Sequence, residues 1–273
     1  MKPGISSYTY AWAVGVPGST PPRPLSARDL IDIAELYRLS VVQIADNLPL
    51  ENLPPGELDE LFEYAGSKGI SIEMGGRGLT AEHTMKCLHA AERLKSPILR
   101  MVIDSHGFEP GLQTIISLLK DLVPELKSRR IKLAVENHDR LKARDFEKII
   151  QSVGSEWAGI CLDSVNSMGA GEGFETVSEI LLPYTINLHI KDFTIFRVSH
   201  KMGLVIEGRP AGQGFLNIPE LAEKAESSGL CNSAVLELWT PPEPSLEDTI
   251  AKESAWAAES INYLKRVLQK IKK

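Results

Sequence analysis

The sequence predicts a (β/α)8 barrel, the TIM barrel, built from a single α/β domain spanning residues 1–273. Three observations predict it. Short apolar runs rich in β-branched residues alternate with longer segments of helical period along the whole chain, the pattern of a parallel sheet covered by helices. The apolar runs number eight, and no linker, low-complexity tract or shift of composition interrupts them. The length of 273 residues lies near the ~250 residues typical of one such barrel.

Taken in order, strands are expected at 4–7, 41–44, 71–74, 98–103, 132–136, 159–163, 185–190 and 234–238. Helices are expected at 27–39, 56–68, 81–94, 112–129, 143–153, 173–181, 218–228 and 246–271. Ser26 with Asp29 three residues later, Thr80 followed by Glu82 and His83, and Pro219 after Asn217 and Ile218 mark helix starts. Lys68-Gly69, Ser96-Pro97, Ser228-Gly229 and the double prolines at 54–55 and 241–242 fall between elements as turns. An open doubly wound sheet is the rival topology. It calls for a glycine-rich phosphate loop after the first strand, where this chain runs into Ser-Tyr-Thr-Tyr-Ala-Trp. Gly75-Gly76-Arg77-Gly78 lacks GxGxxG spacing and reads as a tight turn after the third strand.

Composition excludes several classes of function. Hydrophobic residues at 43% supply a sizeable core, and a net charge of -6 repels a polyanion, so no nucleic-acid partner is expected. The basic run Lys265–Lys273 reads as the cationic last turns of a helix. Cys87, Cys161 and Cys231 form no CxxC pair, which argues against a disulfide framework or thiolate zinc site; Cys161 and Cys231 read as small buried hydrophobes. The N-terminus lacks a signal-type apolar core and no stretch approaches 18 apolar residues. A reduced, soluble, cytoplasmic protein with no membrane partner is expected.

In such a barrel the chemistry sits at the C-terminal ends of the strands, so polar residues ending apolar runs are the informative ones. Glu136, Asp163, His189 and Glu237 end the last four runs. Any one alone is more often a salt-bridge or hydrogen-bond partner. On four consecutive strands they read as a metal site, because three carboxylates in a partly buried cluster repel one another unless a cation neutralises them. Three oxygens and one imidazole suit Mn, Mg, Co or Zn without discriminating among them. Tyr8, Tyr10 and Trp12 are candidates to wall the pocket and stack on a ligand ring, with core or lid packing the alternative. Asp46, Asn47, Glu73, Arg100 and Asp104 either bind substrate hydroxyls or satisfy the barrel mouth. His138 and Lys191 are candidates for proton handling or carboxylate binding, and His83 and His89 read as structural.

The motifs Val135-Glu136-Asn137-His138, Leu162-Asp163, His189-Ile190-Lys191-Asp192, Gly208-Arg209-Pro210 with Gly212-Gln213-Gly214, and Leu236-Glu237-Leu238 resemble the xylose isomerase-like barrels. That family includes sugar isomerases and epimerases, inosose dehydratases and apurinic endonucleases. The resemblance covers essentially the whole chain and implies one divalent metal ion on Glu136, Asp163, His189 and Glu237. It also implies that Arg209, in the loop before the last helical unit, grips substrate oxygens; the alternative is pairing with a surface acid. The substrate-binding set expected is Arg209, His138, Lys191, Asn166, Tyr8, Trp12 and Asp46.

Many ketose epimerases of this type carry a second glutamate six residues after the first ligand and a histidine three after the Asp. Lys142 and Asn166 stand there instead. Apurinic endonucleases need further histidines, and this chain has six in all. The expected function is a metal-dependent isomerase or epimerase acting on a sugar or sugar acid through a metal-stabilised enediolate, with Glu136 and Glu237 as the acid/base pair. Tyr10–Pro17 and Gln43–Asn47 look similar to a subgroup of 3-oxo-isoapionate decarboxylases, which gives the alternative of a metal-dependent decarboxylase of a 3-oxo sugar acid. A non-catalytic sugar-binding barrel is the second alternative. The expected partner is a small sugar or sugar acid, and homo-oligomerisation is open.

Overall fold

The computed structural model of the chain describes residues 1–271. Its strands are β1 (Lys2–Ser6), β2 (Val41–Ile44), β3 (Ser71–Arg77), β4 (Ile98–Val102), β5 (Lys132–Glu136), β6 (Ala158–Asp163), β7 (Thr185–Ile190), β8 (Asp192–Arg197), β9 (Leu204–Arg209) and β10 (Ser233–Leu236). β1 to β7 pair in parallel in chain order, and β10 closes the ring between β7 and β1. β8 and β9 form a separate antiparallel hairpin. The helices are α1 (Ala11–Val14), α2 (Ala27–Leu36), α3 (Pro55–Ser67), α4 (Ala81–Arg93), α5 (Leu112–Arg129), α6 (Ala143–Val153), α7 (Phe174–Leu181), α8 (Ile218–Ser227) and α9 (Leu246–Ile271). No helix among the described residues is long and apolar enough to cross a membrane.

Local chemistry fixes the helix starts. Ser26 Oγ accepts from Asp29 N while the Asp29 carboxylate accepts from Ser26 N, a reciprocal cap for α2. Thr80 caps α4 through His83 N, and Asn217 caps α8 through Glu220 N with Pro219 in the first turn.

Strand periodicity then divides the side chains. Val42, Met74, Leu99, Val135, Leu162, Leu188 and Leu236 join a core shared with Leu30, Leu88, Leu119, Ile149 and Leu264 of the helices. Burying each such side chain contributes about 1.5–3 kcal/mol. The layer between barrel and helices therefore carries the stability. The other parity is polar and buried: Gln43, Glu73, Arg100, Glu136, Asp163 and His189 are all no more than 3% exposed. Ile98, Ala134, Cys161 and Ile186 form a small separate apolar cluster. All three cysteines are free and buried.

Several expectations are corrected. Gly75, Gly76 and Arg77 are not a turn; they extend β3 and pair with Arg100, Met101 and Val102 of β4. Glycine serves there because a Cβ at Gly76 would sit 2.9 Å from both Cys87 Sγ and Met101 Sδ. The β8–β9 hairpin was not expected: its alternating Phe193, Ile195 and Val205 pattern is strand-like, but a series of eight βα units left it no place. Arg209 is accordingly the last residue of β9, opposite Asp192, rather than a loop residue. The eighth barrel strand ends at Leu236, so Glu237 directly follows it. The first βα connection contains the short α1, where no element was expected. The basic run is helical through Ile271; Lys272 and Lys273 lie outside the described residues.

Gly208 fastens the hairpin to the barrel. A Cβ there would fall 1.9 Å from the Trp239 carbonyl oxygen, so only glycine permits this backbone approach. Gly208→Ala should cost about 1–3 kcal/mol of stability and loosen the hairpin. Limited proteolysis within residues 198–203, compared with chemical denaturation of the whole chain, measures both effects.

Candidate metal centre and substrate pocket

Glu136 ends β5, Asp163 ends β6, His189 is the fifth residue of β7, and Glu237 follows β10. Pairing sets Asp163 opposite His189 and Val235 beside it, which brings these strand ends to one level. All four side chains are essentially inaccessible. His189 Nδ1 lies 3.6 Å from Glu136 Oε2, 3.6 Å from Asp163 Oδ2 and 3.5 Å from Glu237 Oε1. Asp163, His189 and Glu237 hold donor atoms within 4.8 Å of one another. Glu237 Oε1 and His189 Nδ1 are buried without a hydrogen-bond partner, while Glu136 Oε2, Asp163 Oδ2 and Glu237 Oε2 are answered only by the cationic side chains of Arg100 and Lys191. Buried polar atoms are nearly always satisfied, and each unpaired one costs roughly 1–3 kcal/mol. Three carboxylates and an imidazole converging at this distance fit a divalent cation. Cys161 also approaches Glu136 and His189. Its thiol donates to Asn187 Oδ1 at 3.1 Å, and burial pushes it up so that it stays protonated and is a poor ligand.

Two protein cations share this negative cluster. Lys191 Nζ is 2.9 Å from Asp163 Oδ2 and 2.9 Å from Glu237 Oε2. Burial opposes its charge, but Asp163, Glu237 and Glu136 outweigh burial and hold the ammonium protonated well above its usual range. Burial likewise opposes ionisation of Asp163, yet Lys191 and His189 hold that carboxyl below the usual range. Arg100, 2% exposed, pairs through Nε with Glu136 Oε2 and through Nη1 with Asp46 Oδ1 at 3.3 Å. Asn166 Nδ2 donates to Glu136 Oε1 at 2.6 Å, so both Glu136 oxygens face donors. Asn166 Oδ1 accepts from Lys191 Nζ at 3.4 Å.

Above this floor opens a cavity of about 870 Å³, lined by Tyr8, Trp12, Asn166 and Lys191 among the expected residues and by Asp139, Glu207, Trp239 and Pro241 among others. An aromatic wall over a charged floor suits a small polar ligand with an apolar ring face. Tyr8 OH donates to Asp46 Oδ2 at 3.2 Å, and Trp12 Nε1 donates to the Thr240 carbonyl at 2.9 Å. The turn carrying these aromatics is held from α9: Glu253 accepts from Trp12 N at 2.9 Å and Ala13 N at 3.0 Å. Glu253 and Trp239 were missed in the sequence because one lies mid-helix and the other in an irregular segment.

Other expected residues sit further out. Asp46 bridges Arg77, at 3.0 Å, and Arg100. His138 Nε2 lies 3.2 Å from Arg77 Nη2, and its Nδ1 is 3.2 Å from Asp139. Asn47 accepts from Ser7 Oγ at 2.5 Å, and Asp104 forms a bidentate pair with Arg140. Arg209 Nη1 pairs with Glu207 Oε1 at 2.6 Å, at the rim. Lys142 turns to the Ala170 carbonyl rather than inward. Glu73 lies in the barrel interior beneath the mouth, where its neighbours are Gln43, Asn187 and Ser233. Asp192, unremarked in the sequence beyond its motif, accepts from Gly212 N, Gly214 N and Leu216 N and so shapes the loop after β9.

The chain belongs to the xylose isomerase-like TIM barrel family, whose model matches residues 58–267. It is 31% identical over 264 residues to a 3-oxo-isoapionate decarboxylase from Pectobacterium atrosepticum, covering 97% of this chain and 95% of that protein. Its fold is similar to a D-psicose 3-epimerase from Clostridium cellulolyticum H10, solved with D-tagatose, at a TM-score of 0.73 and 13% identity, over 98% of this chain and 99% of that one. It is also similar to a xylose isomerase-like TIM barrel protein from Mycobacterium smegmatis solved in complex with magnesium, at a TM-score of 0.67 and 15% identity, over 96% and 97% of the two chains.

Burial raises the Glu253 carboxyl from its ordinary value of 4.5 to about 7, against the two amide donors. The folded chain then binds a proton that the unfolded chain has released between those values. Stability from this group is greatest at or below pH 4.5 and falls as pH rises towards 7, by on the order of 3 kcal/mol. Glu253→Gln should remove that loss: the stability difference between variant and parent moves in the variant's favour across this interval. Urea denaturation at a series of pH values measures it.

Proposed function

We propose that the protein is a metal-dependent decarboxylase of a 3-oxo sugar acid, a lyase yielding carbon dioxide and a ketose. The observation that carries the choice is the engagement of Glu136 by Arg100 and Asn166. Reversible epimerisation needs a base on each face of the substrate carbon, for which Glu136 and Glu237 are the pair. With an arginine on one oxygen and an amide on the other, Glu136 reads as an anchored ligand rather than as a mobile proton carrier. Decarboxylation starts without a base and needs only one proton donor afterwards. The whole-length relative with decarboxylase activity supports the same reading.

Glu136, Asp163, His189 and Glu237 would hold the cation, which when bound supplies a fixed positive charge where negative charge develops on a substrate oxygen. The remaining steps fall to the chain's own residues. Arg100 holds Glu136 in place. The bond between the carboxylate carbon and its neighbour breaks, its electron pair passing to the adjacent ketone, and carbon dioxide leaves. The Lys191 ammonium, protonated and on the pocket floor, then donates a proton to the carbon left behind. The Tyr8 and Trp12 wall limits water at that carbon, and Arg209 at the rim is placed for outlying hydroxyls if it leaves Glu207.

An isomerase or epimerase is the second reading. It is favoured by the close approach of Glu136 and Glu237 to a common imidazole and by the fold shared with an epimerase.

Purified protein should contain about one equivalent of divalent metal and release carbon dioxide from 3-oxo sugar acids; a chelator should abolish release and added metal restore it. Solvent deuterium entering a ketose without gas evolution overturns the lyase reading in favour of the epimerase one, and a metal-free native protein without turnover points to a sugar-binding barrel. Lys191→Met should keep the metal and lower kcat about 10²–10⁴-fold, read by single-turnover carbon dioxide release.

A further inference from the structure

Beneath the four candidate ligands a closed set of hydrogen bonds crosses the barrel interior. Glu73 Oε1 accepts from Ser233 Oγ at 2.6 Å, and Ser233 Oγ accepts from Asn187 Nδ2 at 2.8 Å. Glu73 Oε2 accepts from Gln43 Nε2 at 3.1 Å and from Asn187 Nδ2 at 3.4 Å. Gln43 Nε2 also donates to Asn187 Oδ1 at 3.1 Å. Gln43 Oε1 lies 2.7 Å from His189 Nε2. These residues are all no more than 3% exposed, and none of Gln43, Glu73, Asn187 and Ser233 lines the cavity.

The directions of these bonds follow from one group. An ionised carboxylate only accepts; burial raises the Glu73 carboxyl, so in the ionised form reached at alkaline pH the Ser233 hydroxyl proton is committed to Glu73 and its oxygen must accept from Asn187. That turns the Asn187 nitrogen towards Ser233 and its oxygen towards Gln43. The Gln43 nitrogen must then face Glu73 and Asn187, leaving its carbonyl oxygen for the imidazole. A carbonyl oxygen has no proton to give, so His189 carries its hydrogen on Nε2. The lone pair on Nδ1 consequently points at Glu136, Asp163 and Glu237.

We propose that Glu73 and Gln43 are positioning residues which fix His189 as the Nε2–H tautomer and thereby make Nδ1 its metal-donating nitrogen. The metal half of this inference rests on the proposed function above; the tautomer half does not. A buried carboxylate contributing only to packing is a costly choice, since apolar replacements of buried charges are often neutral or stabilising. Its retention in a closed network makes sense if the network has a direction to impose. Partners of metal-ligating histidines outside the coordination set change metal affinity by about 10–100-fold when removed.

The test combines side-chain nitrogen NMR on histidine-labelled, chelator-treated protein at alkaline pH with zinc titration against a chromophoric chelator. His189 is assigned by its loss in His189→Gln. The parent should show a protonated Nε2 and a bare Nδ1 for His189. Glu73→Gln and Gln43→Met should show a mixture of tautomers or the reverse one, and bind zinc about 10–100-fold more weakly. Ser233→Ala, a smaller change, should move both readouts the same way and serves if Glu73→Gln does not fold. A parent His189 protonated on Nδ1, or folded variants with unchanged tautomer and unchanged zinc affinity, overturns the inference. A parent with the expected tautomer that binds no zinc and no manganese overturns the proposed metal function and leaves the tautomer assignment standing.

Discussion

Three carboxylates buried against one imidazole form the constraint on which the rest of this structure depends. Glu136, Asp163 and Glu237 meet His189 Nδ1 at 3.5–3.6 Å, where water is excluded and the screening that lets like charges coexist is absent. Such an arrangement stands only if positive charge is brought to it. The chain brings two cations of its own, Lys191 and Arg100, and leaves Glu237 Oε1 and His189 Nδ1 without a hydrogen-bond partner. The placement of each neighbouring residue follows from that imbalance.

A polar barrel interior would be untenable if stability had to come from it. The fold separates the two tasks by strand parity. Outward residues such as Leu99, Val135, Leu162 and Leu188 pack on the helices and supply the apolar burial. Inward residues are released for hydrogen bonding and charge, and those at the level of Gln43 and Glu73 support those at the level of His189. The mouth is finished by segments outside the barrel: the first connection, held by Glu253, and the β8–β9 hairpin, held where Gly208 meets the Trp239 backbone.

The roles of Glu136 and Arg100 show how one contact redirects a reading. As a strand-end glutamate, Glu136 is a natural base for moving a proton. With Arg100 Nε against one oxygen and Asn166 Nδ2 against the other, it is anchored from both sides. Asn166 also explains what the missing histidine at that position does to the site: an amide that both donates and accepts links Glu136 to Lys191. A motif comparison registers the substitution, whereas the hydrogen bonds show its effect.

The sequence by itself determined the barrel and the four strand-end residues, because both are local signals. Period two against period 3.6 marks strands and helices, and an acid or histidine ending an apolar run marks the mouth of a barrel. Register, closure and the hairpin were decided only by the tertiary structure. Gln43 meets His189 across 146 residues of sequence and Ser233 meets Glu73 across 160, distances at which no periodicity carries information. Arg77 extends β3 because β4 pairs with it, although its glycine neighbours taken alone favour a turn. Arg209 lies opposite Asp192 because β9 folds back on β8, which is a property of two strands meeting and not of either. Side-chain identity is written locally, but which charge answers which is set by how a closed sheet brings distant strands to one level.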